Sequence, residues 1–354
     1  MYSKRVQDVS ARLNSSAAFI ESCENCLYLT GFKCDAAYML LVSGTAYYFT
    51  DSRYIEAASS CVKSATVMPV KNFYEDVKAV LKKHGVKQME VEGDFITVDA
   101  AAAYKKHLDV EISTEMHLSE LLNNMRSVKS DFELAQIKAA QKLTDKTFSE
   151  VLNFIDTNKT EKEIALFMEF FIRKSGSEGA SFDFIAVSGK NTSLPHGVPT
   201  ERKIKNGDFI TMDFGAIING YHSDMTRTVA VGSITEKQAQ VYAAVLAAQK
   251  AALKHIKSGI AAKDADKAAR DIIESAGYGE YFGHALGHGV GLNIHEQPSL
   301  SPKSAAVLKS GNIVTVEPGI YLPGEFGVRI EDTVAVTDSG NTDITKSAKE
   351  LIIL

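Results

Sequence analysis

Two stretches of the chain, Gly207-Asp-Phe-Ile-Thr-Met-Asp213-Phe-Gly215 and Gly311-Asn-Ile-Val-Thr-Val-Glu317-Pro-Gly319, read as copies of one strand, each delivering a carboxylate at the same place. A second acid follows each copy, Asp224 after the first and Glu331 after the second, and His288 lies between the copies in Gly283-His-Ala-Leu-Gly-His-Gly-Val-Gly291. Converging carboxylates repel one another and take up protons unless cations intervene, and two divalent ions would balance the charge of these acids. An oxygen-rich set with a single imidazole suits manganese, and also cobalt, iron(II) or zinc, rather than a thiolate-bound structural zinc.

The acids can be paired from strand geometry, because residues on opposite arms of a hairpin share a face when their separation fits the register. A turn at Ile218-Asn219 sets Asp213 directly opposite Asp224, whereas a turn at the favoured Asn219-Gly220 displaces the pairing by two and still leaves both on one face. Glu317 and Glu331 are equidistant from Gly324, so a symmetric hairpin brings them opposite each other. Arg329, two residues before Glu331, shares its face and could orient an acid or a substrate carboxylate. His222 has the parity of Asp224 and could donate to it, and Tyr221 reads as packing.

The elements that must position these groups fall into two parts. Up to about residue 123, short strands such as Ala37–Val42 and 46–49 alternate with helical stretches such as 74–81, the pattern of a small α/β domain. A capping box, Ser130 with Glu133, then opens a long amphipathic helix, and Thr160 with Glu163 and Thr235 with Gln238 open two more. The boundary is placed near Met125 to Lys129, giving an N-terminal domain over 1–124 and a larger one over 125–354. The larger part runs helix, helix, strands, acidic hairpin, and then repeats that order, as expected of two related α+β halves.

Composition excludes several classes. The 354 residues are 45% hydrophobic and 23% charged, enough for large buried cores. A net charge of -5 and a pI near 6.0 give no support for a nucleic-acid surface. The first residues lack the apolar core of a signal peptide and no run approaches a membrane span, so a cytoplasmic protein without a membrane partner is expected. Cys23, Cys26, Cys34 and Cys61 include one Cys-x-x-Cys without a second pair and read as free buried thiols.

Six segments in order carry a family resemblance: Leu194-Pro-His-Gly197, Met212-Asp-Phe-Gly215, Ser223-Asp-Met-Thr-Arg-Thr228, Gly287-His-Gly-Val-Gly291, Val316-Glu-Pro-Gly-Ile-Tyr321 and Val328-Arg-Ile-Glu-Asp332. With them the chain resembles the creatinase and methionine-aminopeptidase superfamily, and within it the Xaa-Pro peptidase branch of aminopeptidase P and prolidase. Tyr28-Leu-Thr-Gly-Phe32 and Thr50-Asp-Ser-Arg-Tyr54 are similar to the creatinase-type leading domain. The resemblance implies a pita-bread catalytic domain with pseudo-two-fold halves, and homodimers. It also implies two metals held by Asp213, Asp224, His288, Glu317 and Glu331, with Asp224 and Glu331 bridging.

The same resemblance implies that His196 and His295 contact the scissile carbonyl or its tetrahedral intermediate, that His284 lies on the leaving-group side, and that Glu317 assists proton transfer. The substrate would be a peptide with proline in second place. Two adjacent dications would make water a competent nucleophile near neutral pH and polarise the carbonyl. His284, His288 and His295 are too interrupted by glycine for a helix, and a loop leading into a strand at 290–294 is expected. Lys303 stands where dipeptide-specific members tend to carry Arg for the substrate carboxylate, which favours aminopeptidase P over a strict dipeptidase. A metallopeptidase indifferent to proline and a non-catalytic peptide-binding scaffold are the competing readings.

Overall fold

A computed structural model describes all 354 residues. The chain divides into two compact units, Met1–Arg126 and Ser127–Leu354. No helix is long and apolar enough to cross a membrane.

The first unit is built on a six-stranded sheet in the spatial order Thr66–Pro69, Thr45–Thr50, Ala37–Val42, Ala17–Ile20, Gln88–Val91, Glu111–Ser113. The central three strands are antiparallel and the flanking ones join in parallel. Parallel neighbours need crossovers, and the helices Ile55–Cys61 and Val98–His107 supply two of them, while Phe73–Lys83 carries the chain from one side of the sheet to the other; Val77, Leu81 and Tyr104 pack in one cluster with Phe19 and Leu40. Buried Glu92 accepts from the N–H groups of Glu21 (2.6 Å) and Ser22 (2.9 Å) and from Asn25 Nδ2 (2.6 Å), closing the start of the helix Cys23–Thr30. All four cysteines are free, but only Cys26 and Cys34 are buried; Cys23 is half-buried and Cys61 exposed, because Cys61 ends a short helix that covers the sheet only through Ala58.

The second unit repeats one design. Its first half has helices Asp131–Phe154 and Glu161–Lys174, strands Ile185–Ser188, Phe209–Phe214 and Met225–Ala230, and a small hairpin, Ile217–Ile218 with Tyr221–His222. Its second half has helices Glu236–His255 and Ala262–Ser275 and a five-stranded sheet that includes the paired strands Ile313–Val316 and Asp332–Val336, with the hairpin Gly319–Leu322 and Phe326–Arg329 between them in the chain. The helices at Ser130, Thr160 and Thr235 each start with both hydrogen bonds of a capping box. Each helix pair buries its apolar stripe on its own sheet, Phe148 and Met168 against Met212 in the first half, Val245 and Ala269 against Val314 in the second.

The duplication reaches single backbone bonds. Gly207 and Gly311 have φ of 90° and 91°, in the left-handed region that glycine enters without Cβ strain. Gly207 N–H donates to Val231 O (2.7 Å), as Gly311 N–H does to Val336 O (3.0 Å). Just before each strand a short polar side chain accepts from the backbone three residues earlier, Asp208 Oδ2 from Lys205 and Asn312 Oδ1 from Lys309, both at 2.7 Å. Arg227, among the largest fully buried side chains, ties the first half to the strand of Glu331 by donating to Glu331 O (2.5 Å) and Asp332 Oδ1 (2.7 Å), and to the tail carbonyls of Ser347 (2.7 Å) and Ala348 (2.8 Å).

Candidate metal centre

Asp213 is delivered by period two. Ile210, Met212 and Phe214 of its strand enter the helix-covered core, which leaves Thr211 and Asp213 on the other face. The hairpin adopts the Asn219-Gly220 turn, with φ of 49° and 77°, so Asp213 pairs with Thr226 and Asp224 lies two residues further along the same face. In the second hairpin Val316 pairs with Asp332 and Gly319 with Arg329, a register centred on Gly324 (φ 75°) that sets Glu317 across from Glu331. The halves are stitched at these positions: Glu331 N–H donates to Thr226 O (3.1 Å), Thr226 Oγ1–H to Glu331 Oε2 (2.7 Å) and Thr333 Oγ1–H to Asp224 O (2.8 Å).

His288 arrives on the strand Gly287–Gly289, and 290–294 is loop rather than the expected strand. The reason is crowding. A Cβ at Gly287 would stand 2.1 Å from Thr315 O and one at Gly289 2.4 Å from Gln297 O, so the glycines hold the pairing at His288 while the following residues bulge out before pairing resumes at Glu296–Leu300. His288 Nδ1 lies 3.0 Å from Gly289 O, which can only accept, so this nitrogen carries the proton. The unprotonated Nε2 then faces Asp224 Oδ2 at 3.5 Å and Glu317 Oε1 at 3.4 Å.

A lone pair aimed at two carboxylates is unfavourable unless a cation or a proton lies between them. Three oxygens add to the same demand: Asp213 Oδ1, Asp224 Oδ1 and Glu331 Oε1 are buried without a hydrogen-bond partner. Burial, with Glu331, Asp213 and Glu317 nearby, holds the Asp224 carboxyl well above the usual carboxylate range. Burial does the same for Glu331, with Glu317 and Asp213 adding to it. Glu317 is pushed up to about 8 by burial, with Arg329 opposing and Asp213 adding. His288 is lowered to about 4, mainly by burial. Asp224, His288 and Glu331 each offer an atom within 4.8 Å of the others. Glu317 borders that cluster, while Asp213 Oδ2 is held by Arg329 Nη2 at 2.5 Å. This all-oxygen-and-imidazole set fits divalent cations.

A cavity of about 710 Å³ opens over the cluster. All five expected ligands line it, as do His196, His284, His295 and Arg329. Phe182, Phe184, Ile185, Val198 and Ile294 supply apolar wall. The His295 ring meets that of His288 edge-on, 4.3 Å between centroids. Arg329 donates to Tyr321 Oη (2.8 Å), Pro195 O (3.1 Å) and Thr226 Oγ1 (3.0 Å), and His284 Nε2 lies 3.0 Å from the same Tyr321 oxygen. His284 Nδ1 faces Ala285 O (2.8 Å) and so keeps its proton, which makes Tyr321 the donor to Nε2. Burial lowers His284 to about 4, and Arg329 adds to the shift.

Some expectations fall outside the cavity. Lys303 is exposed on a surface turn and does not line it, because the chain turns away at Ser301. His222 Nδ1 lies 2.8 Å from Ser181 Oγ, and Tyr221 gives its hydroxyl to Glu133 (3.0 Å). Tyr321 was missed as a contributor, although it stands four residues past Glu317 on the same strand parity. The loops that carry His284 and His295 are braced by buried acids: Asp266 accepts from Leu286 N–H (3.0 Å) and holds Arg270, which donates to His284 O (2.9 Å), and Glu296 pairs with Lys129 at 3.0 Å.

Residues 135–338, more than half of the chain, match metallopeptidase family M24, and residues 3–128 match the creatinase/prolidase N-terminal domain. The chain belongs to metallopeptidase family M24. It is thus a metal-dependent peptidase with a creatinase-type leading domain and a pita-bread catalytic domain. Among M24 relatives it is 36% identical over 351 residues to an Xaa-Pro dipeptidase of Pyrococcus horikoshii, covering 99% of this chain and 98% of the relative. The structure of an Xaa-Pro dipeptidase from Bacillus anthracis is similar at a TM-score of 0.96 and 39% identity, with both chains covered in full. That of an X-Pro aminopeptidase from Thermotoga maritima gives 0.92 and 33%, again over both whole chains.

Proposed function

We propose that this peptidase cleaves the bond between the first residue of a peptide and a following proline, with two divalent ions, manganese foremost, held by Asp213, Asp224, His288, Glu317 and Glu331. The observation that carries the reading is the group of orphaned carboxylate oxygens around the bare His288 Nε2 at the floor of a cavity with apolar walls. When bound, such ions supply a Lewis acid for the carbonyl and lower the pKa of water.

The chain's own residues do the rest. Glu317 takes the proton of the attacking water and returns it to the proline nitrogen, which must be protonated before the C–N bond breaks. His196 and His295 donate to the carbonyl oxygen as charge develops there, and His284, held neutral, lies beside the leaving nitrogen. The apolar wall excludes water and suits a proline ring, which has no N–H to satisfy. The products are a free amino acid and a peptide or amino acid beginning with proline.

Two substrate lengths compete. Arg329 is the one Lys or Arg that lines the cavity, and its guanidinium is already engaged by Asp213, Tyr321 and Pro195 O, which supports longer peptides over dipeptides bearing a free carboxylate. The relatives named Xaa-Pro dipeptidase support the dipeptide reading at least as well. The test is hydrolysis of an Xaa-Pro dipeptide, an Xaa-Pro-Xaa tripeptide and Met-Ala-Ser after loading with manganese, cobalt or zinc. Equal turnover of all three would overturn the proline preference. No turnover at full metal occupancy would favour the peptide-binding scaffold. We further infer a cytoplasmic homodimer whose catalytic part is 125–354; sedimentation tests the assembly.

A further inference from the structure

We propose that Glu161 is the positioning residue that sets His196 at the cavity rim, an inference that rests on the peptidase reading for its catalytic consequence. His196 is exposed at the tip of the segment 188–200, and the backbone of that segment decides where the imidazole stands. Glu161 opens the helix Glu161–Lys174 and is fully buried. Its Oε1 accepts from Ser188 N–H (2.6 Å), Ser188 Oγ–H (2.8 Å) and Asn191 Nδ2–H (3.0 Å). Its Oε2 accepts from Thr200 N–H (3.0 Å) and Thr200 Oγ1–H (2.6 Å). One carboxylate therefore grips both feet of the loop with charge-assisted bonds, the short and directional kind.

The fold itself does not require an acid here. In the second half the equivalent position is Ala262, whose N–H donates to Ala306 O (2.9 Å) as Glu161 N–H donates to Arg202 O (3.1 Å). The neighbouring bonds match too, Leu308 N–H to Ile260 O (2.9 Å) and Ile204 N–H to Lys159 O (3.0 Å). The backbone is the same and the carboxylate is absent where the chain leaves the strand Gly287–Gly289 for a second strand, Glu296–Leu300, instead of a long loop. Glu161 thus serves the loop, and the loop presents His196 to the cavity.

Glu161→Gln keeps the size of the side chain and turns an amide N–H₂ towards donors. In the metal-loaded enzyme we expect kcat to fall about 10- to 100-fold, the penalty of a misplaced catalytic group. KM should stay within about threefold and metal content should be unchanged. Amides of 188–200 should exchange hydrogen faster while those of 209–214 do not, and joining Glu161→Gln to His196→Ala should add no loss to that of His196→Ala alone. If Glu161→Gln fails to fold, Thr200→Val, which removes the hydroxyl that donates to Glu161 Oε2 (2.6 Å) and accepts from Arg202 N–H (3.1 Å), is read in the same way. Losses that multiply in the double variant, or unchanged exchange in 188–200, would overturn the proposal. A wild type that hydrolyses none of the peptides overturns the peptidase reading instead, and the loop exchange then decides the role of Glu161 by itself.

Discussion

Asp213, Asp224 and Glu331 each leave one carboxylate oxygen buried and unsatisfied, and an uncompensated buried acceptor costs about 1–3 kcal/mol. Binding a cation removes several such penalties at once, so metal should stabilise the fold. At a free metal concentration 100 times Kd the gain is about 2.7 kcal/mol. Calorimetry should show the melting temperature rising with manganese and falling again with chelator; a melting curve indifferent to both would count against the site. Thr226 refines the prediction, since its hydroxyl donates to Glu331 Oε2 and accepts from Arg329 Nε. Thr226→Val should weaken metal binding about 10- to 100-fold, as losses of ligand-orienting partners do, with titration calorimetry as the readout. The acids and His288 were legible in the sequence because each lies in a motif with its own parity. Tyr321 and Thr226 were not, because Thr226 meets Glu331 and Arg329 of the other half, and the Tyr321 hydroxyl joins Arg329 of its own hairpin to His284 in a separate loop.

At the level of elements, the hairpin registers were readable to within one choice, which Asn219-Gly220 settles by tolerating two successive positive φ values. The helix starts were readable because Ser130, Thr160 and Thr235 cap locally. The segment after His288 reads as strand from its apolar residues between Val290 and Ile294 but is loop, since the constraint comes from carbonyls of Thr315 and Gln297 that no local pattern reveals. Gly287→Ala tests that account. Its methyl would meet Thr315 O, so His288 should shift, metal affinity should fall by at least about tenfold and the fold should lose about 1–3 kcal/mol. Chemical denaturation and metal titration measure the two effects, and an unaltered affinity would remove crowding as the explanation.

Over the whole catalytic unit, Arg227 is the joint that no sequence pattern advertised. It donates to the backbone of Glu331, to Asp332 and to the tail, and Asp332 also accepts from Gln249 Nε2 at 2.6 Å. Arg227→Met should cost about 1–3 kcal/mol, because it leaves the carbonyls of Glu331, Ser347 and Ala348 without this donor while Asp332 keeps Lys349 and Gln249, and the denaturation midpoint would report it. Two-domain layout and the doubled order of helices and strands were visible in the chain because each half repeats its own capping and turn signals. The seam between the halves was not, since its bonds join residues about a hundred positions apart.

The matched glycines at 207 and 311 make each half a nearly complete unit that is chemically insufficient. A break in the short linker at Gly232-Ser-Ile234 would yield one fragment with Asp213 and Asp224 and another with His288, Glu317 and Glu331. Neither piece should retain manganese through dialysis, and mixing them should restore retention together with turnover, as expected of a protein whose reactive centre exists only in the pairing of its two copies.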